Sequence, residues 1–281
     1  MTRDEFLELL RNHTKKFADA VSTQEGEWIV KGFIDVYRKI YTVSVDTKII
    51  SKVLELLLFP MFVDFGIAHE LEIQLCPQQN FYPDLTFTHL PTKHIFAVDI
   101  KSTYRVNGSK VNGMTLGAFT GYFRNRDINK NTLYPYNQHK GHFVLGVIYS
   151  QSESVADERS IFALEDLDRI PSVVRDFQFF AQPKYRIASD SPGSGNTRNI
   201  GSIVEIAQLL EGAGPFSELG EDVYDDYWMF YLTKDMASAL EVQRPYSNLK
   251  SYLEYRKRGA KLIAGKEKQI LEIAEKGEVE G

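Results

Sequence analysis

Two carboxylates and a lysine stand at a spacing that can do hydrolytic chemistry. Tyr82-Pro83-Asp84 is followed, after fourteen intervening residues, by Asp99-Ile100-Lys101. Residues 85–90 and 95–103 are rich in β-branched and aromatic side chains, and Pro91-Thr92-Lys93-His94 between them reads as a turn. The spacing predicts a β-hairpin. Symmetric pairing about that turn puts Asp84 opposite Lys101, and Thr86 opposite Asp99. Asp99 and Lys101 are two apart on one strand, so they share a face while Ile100 points to the other. Asp84 then lies diagonal to Asp99, within reach of a shared ion. Two converging carboxylates suit Mg²⁺, a hard cation that takes oxygen ligands and keeps waters. The adjacent ammonium can stabilise charge developing on a phosphate, or help to activate a water. The same pattern also arises by chance, where the charges only decorate a strand edge.

A second segment has the chemistry of base recognition. Residues 189–202 read Ser-Asp-Ser-Pro-Gly-Ser-Gly-Asn-Thr-Arg-Asn-Ile-Gly-Ser. An Asn amide pairs well with adenine, and a Thr methyl can meet a thymine methyl. Glycines let backbone come close to a ligand. A dinucleotide-binding turn fails here, because Arg198 occupies the third glycine position after Gly193 and Gly195. An ordinary flexible loop is the competing reading. His139 and His142 form H-x-x-H, but a helical zinc pair needs i, i+4 spacing and this stretch leads into a strand, so a structural role is expected. Glu55 sits among Val53, Leu54, Leu56 and Leu57; by itself it reads as the solvent side of an amphipathic helix. Tyr104, Tyr122, Tyr134 and Tyr136 can touch a nucleic acid, though such aromatics are more often core.

The charge pattern points to a polyanion. The net charge of the 281 residues is -5, yet residues 101–143 hold seven Lys/Arg and one acid, Asp127. Residues 244–268 hold eight Lys/Arg and two acids, whereas 204–226 hold seven acids and no base. Two basic segments in an acidic chain suit a polyanion gripped at a defined place; plain solvated faces are the alternative. With 43% hydrophobic and 25% charged residues, disordered and collagen-like classes are excluded. Cys76 is the single cysteine, so no intrachain disulfide and no cysteine-rich metal cage can form. The chain opens without an apolar run, and the longest one, 53–63, contains Glu55 and Pro60 and is too short for a bilayer. A cytoplasmic protein without a membrane partner is expected.

These residues need a scaffold. Helical periodicity covers 4–22 and 46–59, the second stopping near Pro60. Strand signals fall at 70–75, 85–90, 95–103 and 142–149, with a further one at 185–188. Ser202 with Glu205 reads as a capping pair opening a helix through Ile206, Leu209 and Leu210. The tail from Ser247 reads as helix. No repeat or low-complexity linker interrupts the chain. The expectation is one α/β domain over 1–281, a central mixed sheet flanked by helices, with a charged extension from about 262.

Several strings, in order, resemble the EcoRV family of type II restriction endonucleases, within the PD-(D/E)xK nucleases. They are Gln78-Gln79-Asn80-Phe81-Tyr82-Pro83-Asp84, Val98-Asp99-Ile100-Lys101-Ser102-Thr103-Tyr104, Met114-Thr115-Leu116-Gly117-Ala118-Phe119-Thr120, and Tyr134-Pro135-Tyr136-Asn137-Gln138. The string Gly193 to Ser202 is similar to that family's recognition loop with Arg198 in place of a threonine. Asp46-Thr47-Lys48 and Glu55-Leu56 match as well, and the resemblance runs with gaps from roughly residue 11 to 260. It implies a restriction-endonuclease-like fold and a homodimer enclosing double-stranded DNA. It implies Mg²⁺ on Asp84 and Asp99, Lys101 as the catalytic lysine, and Glu55 as an auxiliary helix carboxylate. Gln78, Gln79 and Asn80 correspond to a loop along the minor groove. Gly193, Gly195, Asn196 and Thr197, with Arg198 and Asn199 in the same loop, correspond to the major-groove readers. Thr103 corresponds to a DNA contact beside the active site, and Thr115 and Thr120 to backbone contacts. The implied target is GATATC, cut at its centre to blunt ends, with a cognate DNA methyltransferase in the same system and no direct contact to it. The departures are Arg198, Ser102 for a threonine beside the lysine, a poor match from about Thr233, and no counterpart beyond about 260. Another nuclease of this fold, or a DNA-binding module that has lost catalysis, are the competing readings. The retained loop speaks against the first and the intact Asp84, Asp99 and Lys101 against the second.

Overall fold

The structure, a computed structural model, describes residues 1–76, 78, 81–153, 159–193, 197–257 and 272. In chain order the elements are α1 (Arg3–Asn12), α2 (Thr14–Val21), β1 (Gly32–Ile34), β2 (Lys39–Thr42), α3 (Thr47–Ala68), β3 (Leu71–Leu75), β4 (Leu85–His89), β5 (Ile95–Tyr104), β6 (Thr115–Ala118), β7 (His139–Gln151), β8 (Ile161–Ala163), β9 (Val174–Pro183), α4 (Lys184–Ile187), β10 (Ala188–Pro192), β11 (Asn199–Ser202), α5 (Ile206–Glu211), α6 (Pro215–Leu219), α7 (Glu221–Phe230), α8 (Lys234–Ala239) and α9 (Leu249–Arg256). The central sheet has the order β3-β4-β5-β7-β9, with β5 and β7 parallel and the other neighbours antiparallel. This is the mixed sheet flanked by helices of a restriction-endonuclease-like fold. Two small sheets, β1-β2-β8 and β10-β11-β6, stand beside it.

The central sheet is covered on both faces, as its long apolar strands require. On β5, Phe96 and Val98 pack under α1, α2 and α3, where Phe6 stacks on Phe96 with ring centroids 4.4 Å apart. Ala97 faces the opposite core, built with Val144, Ile148, Tyr224, Tyr227 and Trp228. Alternation therefore sends Asp99, like Ala97, to the second face. No helix among the described residues is long and apolar enough to cross a membrane.

The β4–β5 hairpin forms, with a register two residues from the symmetric pairing. Leu85 pairs with Val98 and Thr88 with Ile95. The loop closes one residue earlier than expected at each end: the His89 amide bonds the His94 carbonyl at 2.9 Å, and Lys93 takes a positive φ of 58°. A two-residue shift leaves every side chain on its face. It brings Asp84 across from Asp99, where the symmetric pairing would have set it across from Lys101.

Other departures have local causes. The first helix breaks at His13 into α1 and α2, where the Thr14 hydroxyl donates to the Arg11 carbonyl at 2.7 Å. The second does not stop near Pro60; α3 runs on to Ala68. Pro60 and Leu56 lie on the exposed side of the helix, while Phe62 and Phe65 beyond the proline are buried and hold the helix on its course. Ser202 does not cap a helix. Its hydroxyl accepts from the Met114 amide at 2.9 Å, inside β11, and α5 starts after Glu205 without a side-chain cap. The strand expected at 185–188 is a helical turn, α4. The tail forms α9, capped reciprocally by Asn248 and Ser251; the charged extension lies outside the described residues apart from Glu272.

Candidate active site

The hairpin assembles the acidic group through its own backbone. The Asp84 amide donates to Asp99 Oδ1 at 3.3 Å, and the Ile100 amide donates to Asp84 Oδ2 at 2.8 Å. Each carboxylate is thus tied to the other's strand. Lys101 Nζ lies 3.3 Å from Asp84 Oδ2 and 3.5 Å from Asp99 Oδ2. Asp99 is buried, whereas the Asp84 side chain keeps 32% of its surface exposed and Lys101 keeps 23%. The group therefore has one sealed side and one open side.

The electrostatics separate the two carboxyls. Burial raises the Asp84 pKa, and the Asp99 charge adds to that, against the pull of Lys101. Burial also acts on Asp99, but Lys101, Lys184 and the Asp84 amide outweigh it and hold the pKa below the usual value. Burial alone would depress Lys101; the two carboxylates reverse this and hold it firmly protonated.

Glu55 belongs to the neighbourhood. Its helix is pinned to β5 by a 2.7 Å contact between the Ser51 and Ser102 hydroxyls, next to Lys101. Glu55 pairs with Lys52 at 2.7 Å, its charge contributes to raising the Asp84 pKa, and Asp84 in turn acts on Lys52.

Lys184 was not singled out by the sequence. It sits at the start of α4 with its side chain 2% exposed, its Nζ 3.6 Å from Asp99 Oδ2 and 4.0 Å from the centre of the Tyr82 ring. Burial pushes its pKa down to about 8, against the attraction of Asp99. Tyr82 stacks on Tyr122 at 4.5 Å, and its hydroxyl lies 2.8 Å from His142 Nδ1. Tyr122 and Tyr136 are core residues here, as are His139 and His142, which lie in β7 and are kept neutral by burial.

The β10–β11 hairpin presents the second segment. The Gly193 amide bonds the Asn199 carbonyl at 3.0 Å and closes the loop; β11 then pairs with β6, Asn199 facing Ala118 and Gly201 facing Thr115. A Cβ on Gly193 would come within 2.6 Å of the Thr115 methyl, so this closure needs glycine. Thr115 and Arg198 are exposed, Thr197 and Asn199 partly so, and Thr120 is half-buried ahead of a 3₁₀ turn. Gly195 and Asn196 lie outside the described residues, as do Gln79 and Asn80; Gln78 is exposed. Thr103 is buried and its hydroxyl donates to the Asn112 carbonyl, so it holds the sheet to the following loop and does not face outward.

Among the described residues no group of three or more His, Cys, Asp or Glu side chains gathers to hold a metal ion. The two carboxylates offer hard oxygen donors, and the exposed side of Asp84 leaves room for water. This donor set fits a divalent ion that binds through one or two carboxylates and keeps several waters.

Comparison with known proteins agrees with this geometry. A family model described as "Restriction endonuclease EcoRV" matches residues 24–257. The curated "Type II restriction enzyme EcoRV" of Escherichia coli is 33% identical over 246 residues, which cover 86% of this chain and 97% of that protein. The hairpin with its paired carboxylates and lysine, the mixed sheet and these matches together place the chain in the EcoRV restriction endonuclease family, as a type II site-specific deoxyribonuclease.

Proposed function

We propose that the enzyme cleaves double-stranded DNA at GATATC, at the centre of the site, leaving blunt ends with a 5′-phosphate and a 3′-hydroxyl. The observation that carries the chemistry is the Asp84–Asp99 pair with Lys101 Nζ at 3.3 and 3.5 Å. Asp84 and Asp99 hold Mg²⁺, which when bound supplies positive charge to the phosphate and eases deprotonation of water. Lys101 pulls both carboxylates toward the ionised form and sets a fixed positive charge beside the scissile phosphate. Glu55 is an auxiliary carboxylate on α3. The target rests on the loop sequence, which matches the family's at Gly193, Gly195, Asn196, Thr197 and Asn199. Thr115 and Thr120 flank that loop and grip the DNA backbone, and Gln78, Gln79 and Asn80 follow the minor groove.

A homodimer accounts for both the target and the surface. A palindrome mirrors a two-fold axis in the protein, and cutting two strands calls for two acidic groups. The β1-β2-β8 sheet carries Phe33, Ile34, Tyr41 and Ile161 exposed, and the β1–β2 turn adds Val36 at 89% and Tyr37 at 81% exposure. An apolar surface of this kind is what a second copy would cover. The enzyme works in the cytoplasm, in a system whose cognate methyltransferase modifies the same sequence without touching it. The test is digestion of a plasmid of known sequence with Mg²⁺, followed by sequencing of the ends. Blunt cuts within GATATC are expected. A different motif would replace the target, and cutting in excess EDTA would remove the metal.

A further inference from the structure

Among the described residues Lys184 is the only lysine or arginine that the fold buries outright. Taking an ammonium out of water costs several kcal/mol unless it is well paired, and an apolar side chain of similar length would pack there without that cost. The charge therefore has to be explained by what it holds. Beside the Tyr82 ring, whose centre lies 4.0 Å from Lys184 Nζ, three further parts of the molecule meet there. The first is Asp99 Oδ2 of β5, at 3.6 Å. The second is the chain itself: Lys184 follows Pro183 at the end of β9 and begins the single turn, α4, from which β10 sets out toward the loop at 193–199. The third is β6, the strand that supports β11. Gly117 of β6 has a φ of +92°, and a Cβ built there would lie 3.6 Å from Lys184 Nζ, 3.9 Å from Asp99 Oδ2 and 2.6 Å from the Tyr122 hydroxyl. Glycine lets β6 close down on this point.

We propose that Lys184 is a positioning residue that couples the β10–β11 hairpin to Asp99, so that a shift of the hairpin when its loop engages DNA is passed to the carboxylate. The inference rests on the reading above, in which Asp99 holds the metal and the hairpin carries the DNA-reading loop. Lys184 and Lys101 reach the same oxygen, Asp99 Oδ2, at 3.6 and 3.5 Å; Lys184 does so from within the fold, its side chain 2% exposed against 23% for Lys101, and acts through Asp99. Lys101 sets the charge of the pair; Lys184 sets where Asp99 stands relative to the hairpin. Coupling of this kind is reciprocal: an ion on Asp99 must be felt at the hairpin as the hairpin is felt at Asp99.

The test is hydrogen exchange on the full-length protein with and without Mg²⁺, for wild type, Lys184→Met and Lys184→Arg. In wild type, Mg²⁺ should slow exchange in β5 around Asp99 and also in β10 and β11. In Lys184→Met the β5 effect should persist and the hairpin effect should be lost; Lys184→Arg, which keeps the charge, should restore part of it. Alongside, Lys184→Met should lower kcat about 10²-fold, the cost of a small misplacement at a reacting centre, with DNA affinity in the absence of metal unchanged. A wild-type hairpin that ignores Mg²⁺ while β5 responds overturns the coupling whatever the variants do. So does a hairpin that responds equally in Lys184→Met, or a kcat within threefold of wild type. If Mg²⁺ alters neither β5 nor the hairpin in wild type, the metal assignment falls first and the coupling falls with it.

Discussion

Lys101→Met removes one charge from the active site and little else, since methionine keeps the length and the apolar stem. The ammonium lies 3.3 Å from Asp84 Oδ2 and 3.5 Å from Asp99 Oδ2. At the effective dielectric constant of about 20 that suits such sites, each contact is worth roughly 5 kcal/mol of gross attraction. Against this stands the cost of burying the three charges, several kcal/mol each. The two nearly offset, and the balance differs by group: Lys101 is held protonated, Asp99 is held below its usual pKa, and Asp84 is raised, though less than burial and the Asp99 charge alone would raise it. Without Lys101, Asp99 retains Lys184 at 3.6 Å, but Asp84 faces a like charge with no cation of its own in contact. Burial already raises the Asp84 pKa. With their shared cation gone, burial and the Asp99 charge act on Asp84 without the pull of Lys101, so the variant's pair should hold a shared proton over a wider pH range than the wild-type pair does. Mg²⁺ then has to displace it. Calorimetric titration of Mg²⁺ in buffers of different ionisation enthalpy should show more proton release from Lys101→Met than from wild type, the difference reaching up to about one proton. Cleavage should fall about 10²–10³-fold, as when one preorganised positive group is lost, while DNA binding without metal stays within about threefold. Equal proton release in the two proteins would mean that Lys101 does not hold the carboxylates apart from protons. Cutting at the wild-type rate would remove Lys101 from the mechanism.

The remaining expectations concern recognition, assembly and acid stability. Arg198 is exposed, and its charge disfavours that of the nearby Arg124, so an anion is the natural guest between them; Arg198→Thr should remove two phosphate contacts per dimer and flatten the salt slope of log K by about 1.8, with the cleavage motif unchanged. A new motif with the old slope would show that Arg198 reads a base. Ile34→Asp, on the exposed apolar sheet, should turn the proposed dimer into a folded monomer by sedimentation and cost double-strand cutting; a dimer that persists would place the interface elsewhere. Burial pushes the His139 pKa down to about 4 and that of His142 well below its usual value, while in the unfolded chain both titrate near 6.5. The unfolded chain then binds protons that the folded one refuses, so stability is full above about pH 6.5. It should fall as the pH drops toward 4, by about 1.4 kcal/mol per unit for each histidine. Urea unfolding at pH 5 and 7 should show His139→Gln with a shallower decline, and an unchanged decline would refute the assignment.

How much could be read in advance follows from what each feature depends on. The acidic hairpin depends on local spacing, and it survived an error in register because a two-residue shift preserves parity: Asp84, Asp99 and Lys101 stay on one face. In the five-stranded sheet β4, β5 and most of β7 stand out as buried apolar runs and β3 as a half-exposed edge strand, whereas β9, whose first residues are partly exposed and polar, was not expected. Lys184 depends on neither. Its contact with Asp99 joins residues 85 positions apart through the order β5-β7-β9, and a lone lysine after a proline carries no signal of burial. The β1-β2-β8 sheet was missed for another reason. Tyr41 pairs with Ile161 across the chain, and β1, β2 and β8 have only three or four residues each, too few for a period. Reading periodicity also assumes that apolar side chains are buried by their own chain. Phe33 and Ile34 are adjacent in sequence, so they point to opposite faces of β1, yet both are more than half exposed. Burial within one chain produces no such pattern. In the proposed dimer the missing cover comes from the second copy, and the same contact that hides these residues fixes the distance between two acidic groups that must reach opposite strands of one duplex.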